Sequence, residues 1–142
     1  MLRTQAASKI RWFSRYAVNM KPLFHPSLDD ITVEGILHAL SEPVRAHILA
    51  RILHATGAKT CSAFLEISDR PIPKSTLSQH FKALREAGLI RSQRKGVELH
   101  NTARCDEIAS RFGPLVSAVL AAHLAQEQRR GAAQRTRRAK RA

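Results

Sequence analysis

"STLSQHFKALREAGLIRSQRKGVELH", residues 75–100, decides how this chain is read. Leu77, Phe81 and Leu84 stand at i, i+4 and i+7, the spacing of one helical face. With those three turned inward, Ser75, Gln79, Lys82 and Glu86 face outward, flanked by Thr76 and Ser78. Gly88 supplies the left-handed residue that ends such a helix. Beyond it, Leu89–Gln93 and Val97–Asn101 read as two short strands joined through Arg94, Lys95 and Gly96. Nothing in the stretch resembles a nucleophile held by a base.

Upstream, "KTCSAFLEIS" (59–68) reads as a short helix buried through Ala63, Phe64 and Ile67, and "DRPIP" (69–73) breaks it. "SEPVRAHILARILHATG" (41–57) carries the strongest helical signal. Ser41 or Glu42 stands at its start and Pro43 in its first turn, where a missing N–H costs nothing. Val44, Ile48 and Ile52 repeat along it, flanked by Leu49 and Leu53, and Gly57 makes the stop. In "DDITVEGILHAL" (29–40), Asp29 or Asp30 is the expected cap, and Ile31, Ile36, Leu37 and Leu40 the apolar face.

Downstream, Thr102 is the expected cap of a last helix, with Asp106 and Glu107 in its first turn, where the dipole favours negative charge. Ile108, Phe112, Leu115, Val119 and Leu120 form its apolar face, and Gly113–Pro114 is expected to kink or interrupt it. The fold class is therefore mainly α with a small β-hairpin, in the order α-α-α-α-β-β-α. Residues 1–28 read as a basic extension and linker, with a short helix over Ile10–Val18. Residues 29–128 read as the folded domain, and 129–142 as a disordered basic tail.

The formal net charge of +13 is distributed unevenly along the 142 residues. Residues 1–21 hold five Lys/Arg and 129–142 hold seven, neither segment with an acid, so the body between is close to neutral. Within that body, 70–95 sets seven bases against the single acid Glu86. A basic stripe on a neutral body is the electrostatic footprint of a polyanion binder. No run approaches the ~18 uncharged apolar residues of a membrane span, and the expectation is a cytoplasmic, nucleoid-associated protein without membrane contact. The acid-free N-terminus also suits an organellar transit peptide, and Met20 offers an alternative start.

Two helices joined by a short break, the second polar on its outer face, form a helix-turn-helix. A helix ~10–12 Å across fits the B-DNA major groove. Ser75, Thr76, Ser78 and Gln79 can donate and accept at base edges, while Lys74 and Lys82 reach phosphates. Arg94 and Lys95 at the hairpin tip, with Arg91 nearby, suit a minor groove or a phosphate backbone.

"ALSEPVRAHIL" (39–49) and the 75–100 stretch resemble the ArsR-type winged-helix transcriptional repressors over about residues 30–120. Ser78 and His80 match that family's S-x-H, and Arg45 its Arg after the Pro. The resemblance implies a homodimer, joined through the first and last helices (about 29–40 and 104–124). It also implies double-stranded DNA with a near-palindromic operator as the partner, and repression until an inducer arrives. It adds Arg45 and His80 to the DNA-facing set, Arg45 more often structural or phosphate-facing, and His80 more often packed or phosphate-bonded than base-reading.

The departure from the family lies in sensing. Cys61 has no second Cys at +2, and His123 and Glu127, at i, i+4, lack a His partner one dozen residues earlier. A tetrahedral zinc site wants four ligands in register, so no metal and no cofactor is assigned. Cys61 and Cys105 remain as the only residues for a redox role, beside the plainer reading of two incidental cysteines. The seven histidines lie beside no cysteine in a catalytic motif, and there is no Gly-rich phosphate loop or G-x-S-x-G, so no enzymatic activity is expected. The alternative to a regulator is a sequence-independent architectural DNA- or RNA-binding protein.

Overall fold

The computed structural model describes residues 22–65 and 71–142; the expected short helix at 10–18, and Ile67, Asp69 and Arg70, lie outside them. Helix α1 spans Val33–Leu40 and α2 spans Pro43–Leu53. Strand β1 (Lys59–Thr60) leads into a 3-10 turn, Cys61–Phe64. Helix α3 spans Lys74–Glu86, strands β2 and β3 span Ile90–Lys95 and Glu98–Ala103, and α4 spans Cys105–Arg141.

The caps show how the local sequence starts each helix. Thr32, not Asp29 or Asp30, caps α1, its hydroxyl accepting from Gly35 N–H at 3.1 Å. Glu42 caps α2 by accepting from Arg45 N–H at 3.0 Å, with Pro43 in the first turn as expected. Thr102, the expected cap of the last helix, is instead paired in β3 opposite Arg91. The strand ladder takes its backbone groups first, and α4 begins two residues later behind Arg104.

The small sheet has three strands rather than two, in the order β1-β3-β2, all antiparallel. The third strand and the 3-10 turn together replace the expected short helix over 59–68, at least through Phe64. Lys59 and Thr60 are drawn into the ladder because β3 would otherwise leave an unpaired edge. The hairpin turn is Gly96–Val97, between the paired Lys95 and Glu98, so Arg94 and Lys95 belong to β2 rather than to the loop. Gly96 has φ +64° and Val97 does not have a positive φ, the pattern of a tight turn with Gly at its first central position.

Helix α4 runs on without interruption through Gly113–Pro114 and through 129–141, where composition favours a disordered tail. Its last third consists of Arg, Ala, Gln and Lys apart from Gly131 and Thr136, and the first four are strong helix formers. Eighteen residues of α4 are apolar enough to span a membrane by length and composition, with mean hydropathy 1.4, yet only 22% of that window is buried within the monomer.

The core lies where the helices meet the sheet. Ile36 and Leu40 of α1, Ile48, Leu49 and Ile52 of α2, and Phe64 meet Leu77, Phe81 and Leu84 of α3, all buried. Ile108, Phe112, Val116 and Leu120 of α4 close it from the other side. Leu37 and Leu53, expected inside, are exposed at 44% and 37%, whereas Val116 takes an inward place outside the expected apolar face.

Gly88 fixes the angle at which α3 leaves this core. Its φ is +80°, and a Cβ there would sit 2.4 Å from Ile31 Cδ1 and 2.6 Å from Ile31 Cγ1. Gly88→Ala combines a left-handed strain of roughly 1–2 kcal/mol with overpacking of roughly 1–3 kcal/mol. The expected loss is about 2–5 kcal/mol, measured as a fall in the urea midpoint at unchanged slope; a loss under about 0.5 kcal/mol contradicts it.

Candidate nucleic-acid interface

Burial of Leu77, Phe81 and Leu84 leaves Lys74, Ser75, Thr76, Ser78, Gln79 and Lys82 of α3 exposed together, as the helical spacing requires. The helix starts behind Pro73 with no side-chain cap, so its first N–H groups are open to an acceptor such as a phosphate. Lys82 lies 3.8 Å from Glu86, an exposed i, i+4 pair loose enough to let the ammonium turn to another anion.

The hairpin stands beside the start of this helix. Lys74, Leu77 and Ser78 share one depression of about 330 Å³ with Val97, Glu98 and Leu99 of the wing. Arg94 and Lys95 are exposed on β2, and Val97 at the tip is fully exposed. The exposed polar face of α3 and the tip of the hairpin thus border one surface. Sequence reasoning misses Val97, because a lone Val in an expected strand carries no signal of being a tip.

Three residues from the expected DNA-facing set are held elsewhere. Arg45 donates through Nε to Ala39 O at 2.6 Å and through a terminal N–H to His38 O at 3.0 Å, so its fork caps the C-terminus of α1. That geometry suits the structural role over a base or phosphate contact. Arg91 makes a bidentate pair with Glu107, at 2.8 and 2.9 Å, and so ties the foot of the wing to α4. His80 is half-buried with Nδ1 3.8 Å from Glu42, packed behind the reading face rather than on it.

A buried polar network, not legible in the sequence, sets the wing's position. Asn101, fully buried, donates from Nδ2 to Lys59 O at 3.0 Å and Leu99 O at 3.3 Å, and accepts from Ser92 Oγ at 2.7 Å. The same amide lies 3.6 Å from Cys61 Sγ. Arg104, 4% exposed, donates to Pro26 O at 2.9 Å and to Glu107, binding the linker to the base of α4. Between them, Arg91 and then Arg104 hold the Glu107 carboxyl down at about 2.

Burial holds both cysteines toward the thiol form. Burial raises the Cys61 thiol, only partly offset by the Asn101 amide and Arg85, and burial raises Cys105 as well. The two line different depressions, Cys61 beside the wing and Cys105 beside Ile52 and Gly57. Among the described residues no three His, Cys, Asp or Glu side chains converge as metal ligands.

A helix-turn-helix domain family matches residues 40–93, from the end of α1 through most of β2. No curated protein matches the chain. Among solved structures the chain resembles an ArsR family transcriptional regulator, RHA00566, at 23% identity and TM-score 0.47, covering 68% of this chain and 92% of that one. It resembles an ArsR-like transcriptional regulator from Rhodococcus sp. RHA1 at 24% identity and TM-score 0.44, covering 72% and 89%. It also resembles Rv0081 of M. tuberculosis at 25% identity and TM-score 0.49, covering 72% and 97%.

The class that fold and site define is the winged helix-turn-helix. The helix-turn-helix part of that class is the segment the domain family matches, residues 40–93.

One contact between linker and wing titrates. His25 Nε2 accepts from Ser92 N–H at 3.0 Å while its Nδ1 faces Leu23 O at 3.1 Å, an arrangement made by the neutral ring. Burial lowers its pKa from 6.5, and Arg85, Arg91 and Arg104 push the same way, outweighing the Leu23 carbonyl. Folding therefore favours the neutral form: the contribution is full above the unfolded pKa and falls as pH drops below ~6.5 toward the lower folded value. Urea unfolding of the wild type and His25→Gln is expected to show the stability gap narrowing from pH 7.5 to pH 5.5; a constant gap rules the contact out as the source.

Proposed function

We propose that this protein is a cytoplasmic, sequence-specific transcriptional regulator that binds double-stranded DNA as a homodimer and represses until a signal releases it. The observation that carries this reading is the joint exposure of Ser75, Thr76, Ser78 and Gln79 on α3, beside a basic wing. Hydroxyls and an amide on a helix that fits the major groove supply base readout, while Lys74, Lys82, Arg94 and Lys95 supply phosphate contacts. In this reading Arg45, Arg91 and His80 have structural roles, at the end of α1, at the foot of the wing and on the inner side of α3.

Dimerisation is supported by what the monomer leaves uncovered. Val33 and Leu37 of α1, four residues apart, are 43% and 44% exposed. Helix α4 has no charged residue from 112 to 126, yet Ala118, Ala121, Ala122 and Leu124 are exposed there. Apolar helical faces of this kind suit a symmetric partner. A two-fold dimer places its two reading helices on half-sites related by the same symmetry, hence a near-palindromic operator.

Selection of bound fragments from a random DNA pool by the full chain tests the reading. The expected product is a pair of inverted half-sites about one helical turn apart, preferred by roughly 10³ or more over random DNA. A pool that stays unenriched favours a sequence-independent architectural binder, to which the acid-free basic end of α4 is equally suited. On the selected site, Ser78→Ala or Gln79→Ala is expected to cost ~1–3 kcal/mol at particular base pairs, read by titrating single-base variants. Equal loss on all sequences contradicts base readout by these two residues.

The end of α4 from 129 onward holds seven of the 24 Lys and Arg residues and no acid. Deleting 129–142 is expected to flatten the dependence of log affinity on log salt by about 0.9 for each phosphate that is no longer neutralised. An unchanged slope shows that this segment does not touch DNA.

A further inference from the structure

Where α2, the 3-10 turn and α4 meet, the surface sinks into a depression of about 370 Å³, within the size range of small-molecule sites. Its polar lining carries only groups able to be cationic: His47 and Arg51 on α2, His54 just past its end, and Lys59 on β1. The apolar lining comes from Ala50, Ala63 and Leu124 of α4, with Phe64, 1% exposed, on the floor beneath Arg51. No carboxylate lines it; the nearby Glu127 hydrogen-bonds Arg130 at 3.1 Å. Among the described residues neither Arg51 nor Lys59 forms an ion pair. The Arg51 guanidinium lies 5.2 Å over the Phe64 ring, and its N–H groups, in no ion pair among the described residues, suit a planar, bidentate acceptor.

We propose that this depression binds a small organic carboxylate with an apolar body, and that its occupancy alters how α3 is held on DNA. The carboxylate meets the N–H edge of Arg51 with Lys59 beside it, and the apolar body lies against Leu124 and the alanine lining, above Phe64. Burial keeps His47 below its ordinary pKa, so near neutral pH it offers the ligand a hydrogen bond rather than a second charge. The route to the reading face is short. Phe64 is buried, and its ring meets Phe81 of α3 edge-on at 5.3 Å and 69°. A ligand that pulls Arg51 off Phe64, or presses on that ring, moves the packing partner that seats the recognition helix. The binding half stands independently; the regulatory half rests on the DNA-binding reading.

The test titrates the isotope-labelled full chain with benzoate and 2-naphthoate, using benzamide and 2-naphthamide as uncharged controls, followed by amide NMR shifts. Saturable shifts at Arg51, Lys59 and Phe64 with the carboxylates, absent with the amides, are expected. Arg51→Gln, an exposed substitution, is expected to weaken binding about tenfold. Shifts that never saturate, amides that bind as well as acids, or an unaffected Arg51→Gln overturn the site. On the selected DNA, saturating 2-naphthoate is expected to lower affinity by about fivefold or more for the wild type but not for Arg51→Gln, read by fluorescence anisotropy. Unchanged DNA affinity at saturation overturns the regulatory half. A chain that binds no DNA overturns the regulator reading instead, while the titration still decides the pocket.

Discussion

The structure depends on how the apolar stripe of α3 is sunk into the core. Leu77, Phe81 and Leu84 are each almost fully buried, and burying side chains of this size stabilises by roughly 1.5–3 kcal/mol apiece. That gain fixes the helix's rotation about its own axis. A turn of one residue position, about 100°, would bury Ser78 or Lys82 and expose Phe81. The exposed set of Ser75, Thr76, Ser78 and Gln79 is therefore a by-product of what the other face must hide. Gly88 then sets where the chain goes next, because only a residue without Cβ fits against Ile31 with that backbone twist.

Beyond Ile90, which anchors β2 in the core, the wing is held by polar contacts. Asn101 bonds two backbone carbonyls and Ser92 from a fully buried position, so removing it would leave several buried groups unpaired. Arg104 and Arg91 converge on Glu107, which joins the linker, the foot of the wing and α4 in one cluster. Contacts of this kind are directional. They orient the hairpin against α3 more narrowly than a greasy patch would, and that orientation brings the tip at Val97 alongside Lys74 and Ser78.

Much of this was legible in the chain. The i, i+4, i+7 stripe of α3, Pro43 at the start of α2, Gly88 and the exposed polar positions all follow from local periodicity and backbone chemistry. The misreadings share a cause. Thr102 looks like a cap and Lys59–Thr60 like a helix start, but both are claimed by strand pairing with residues well separated from them along the chain. Leu37 and Leu53 sit at helical spacing, yet face outward because the sheet and α4 cover only part of each helix. Arg45 and Arg91 look like free cations until the fold brings the α1 carbonyls and Glu107 to them.

The sequence by itself determined most of the element types, the inward stripe of α3 and therefore which side chains that helix shows to solvent. Those properties depend on residues within a few turns of one another, and the chain carries them directly. Only the tertiary structure decided which basic residues remain available, how the wing lies against α3, and that His47, Arg51, His54 and Lys59 line one depression with Phe64 and Leu124. Each of these requires residues distant in sequence to meet. Such meetings are set by the packing of whole elements, which no local pattern encodes.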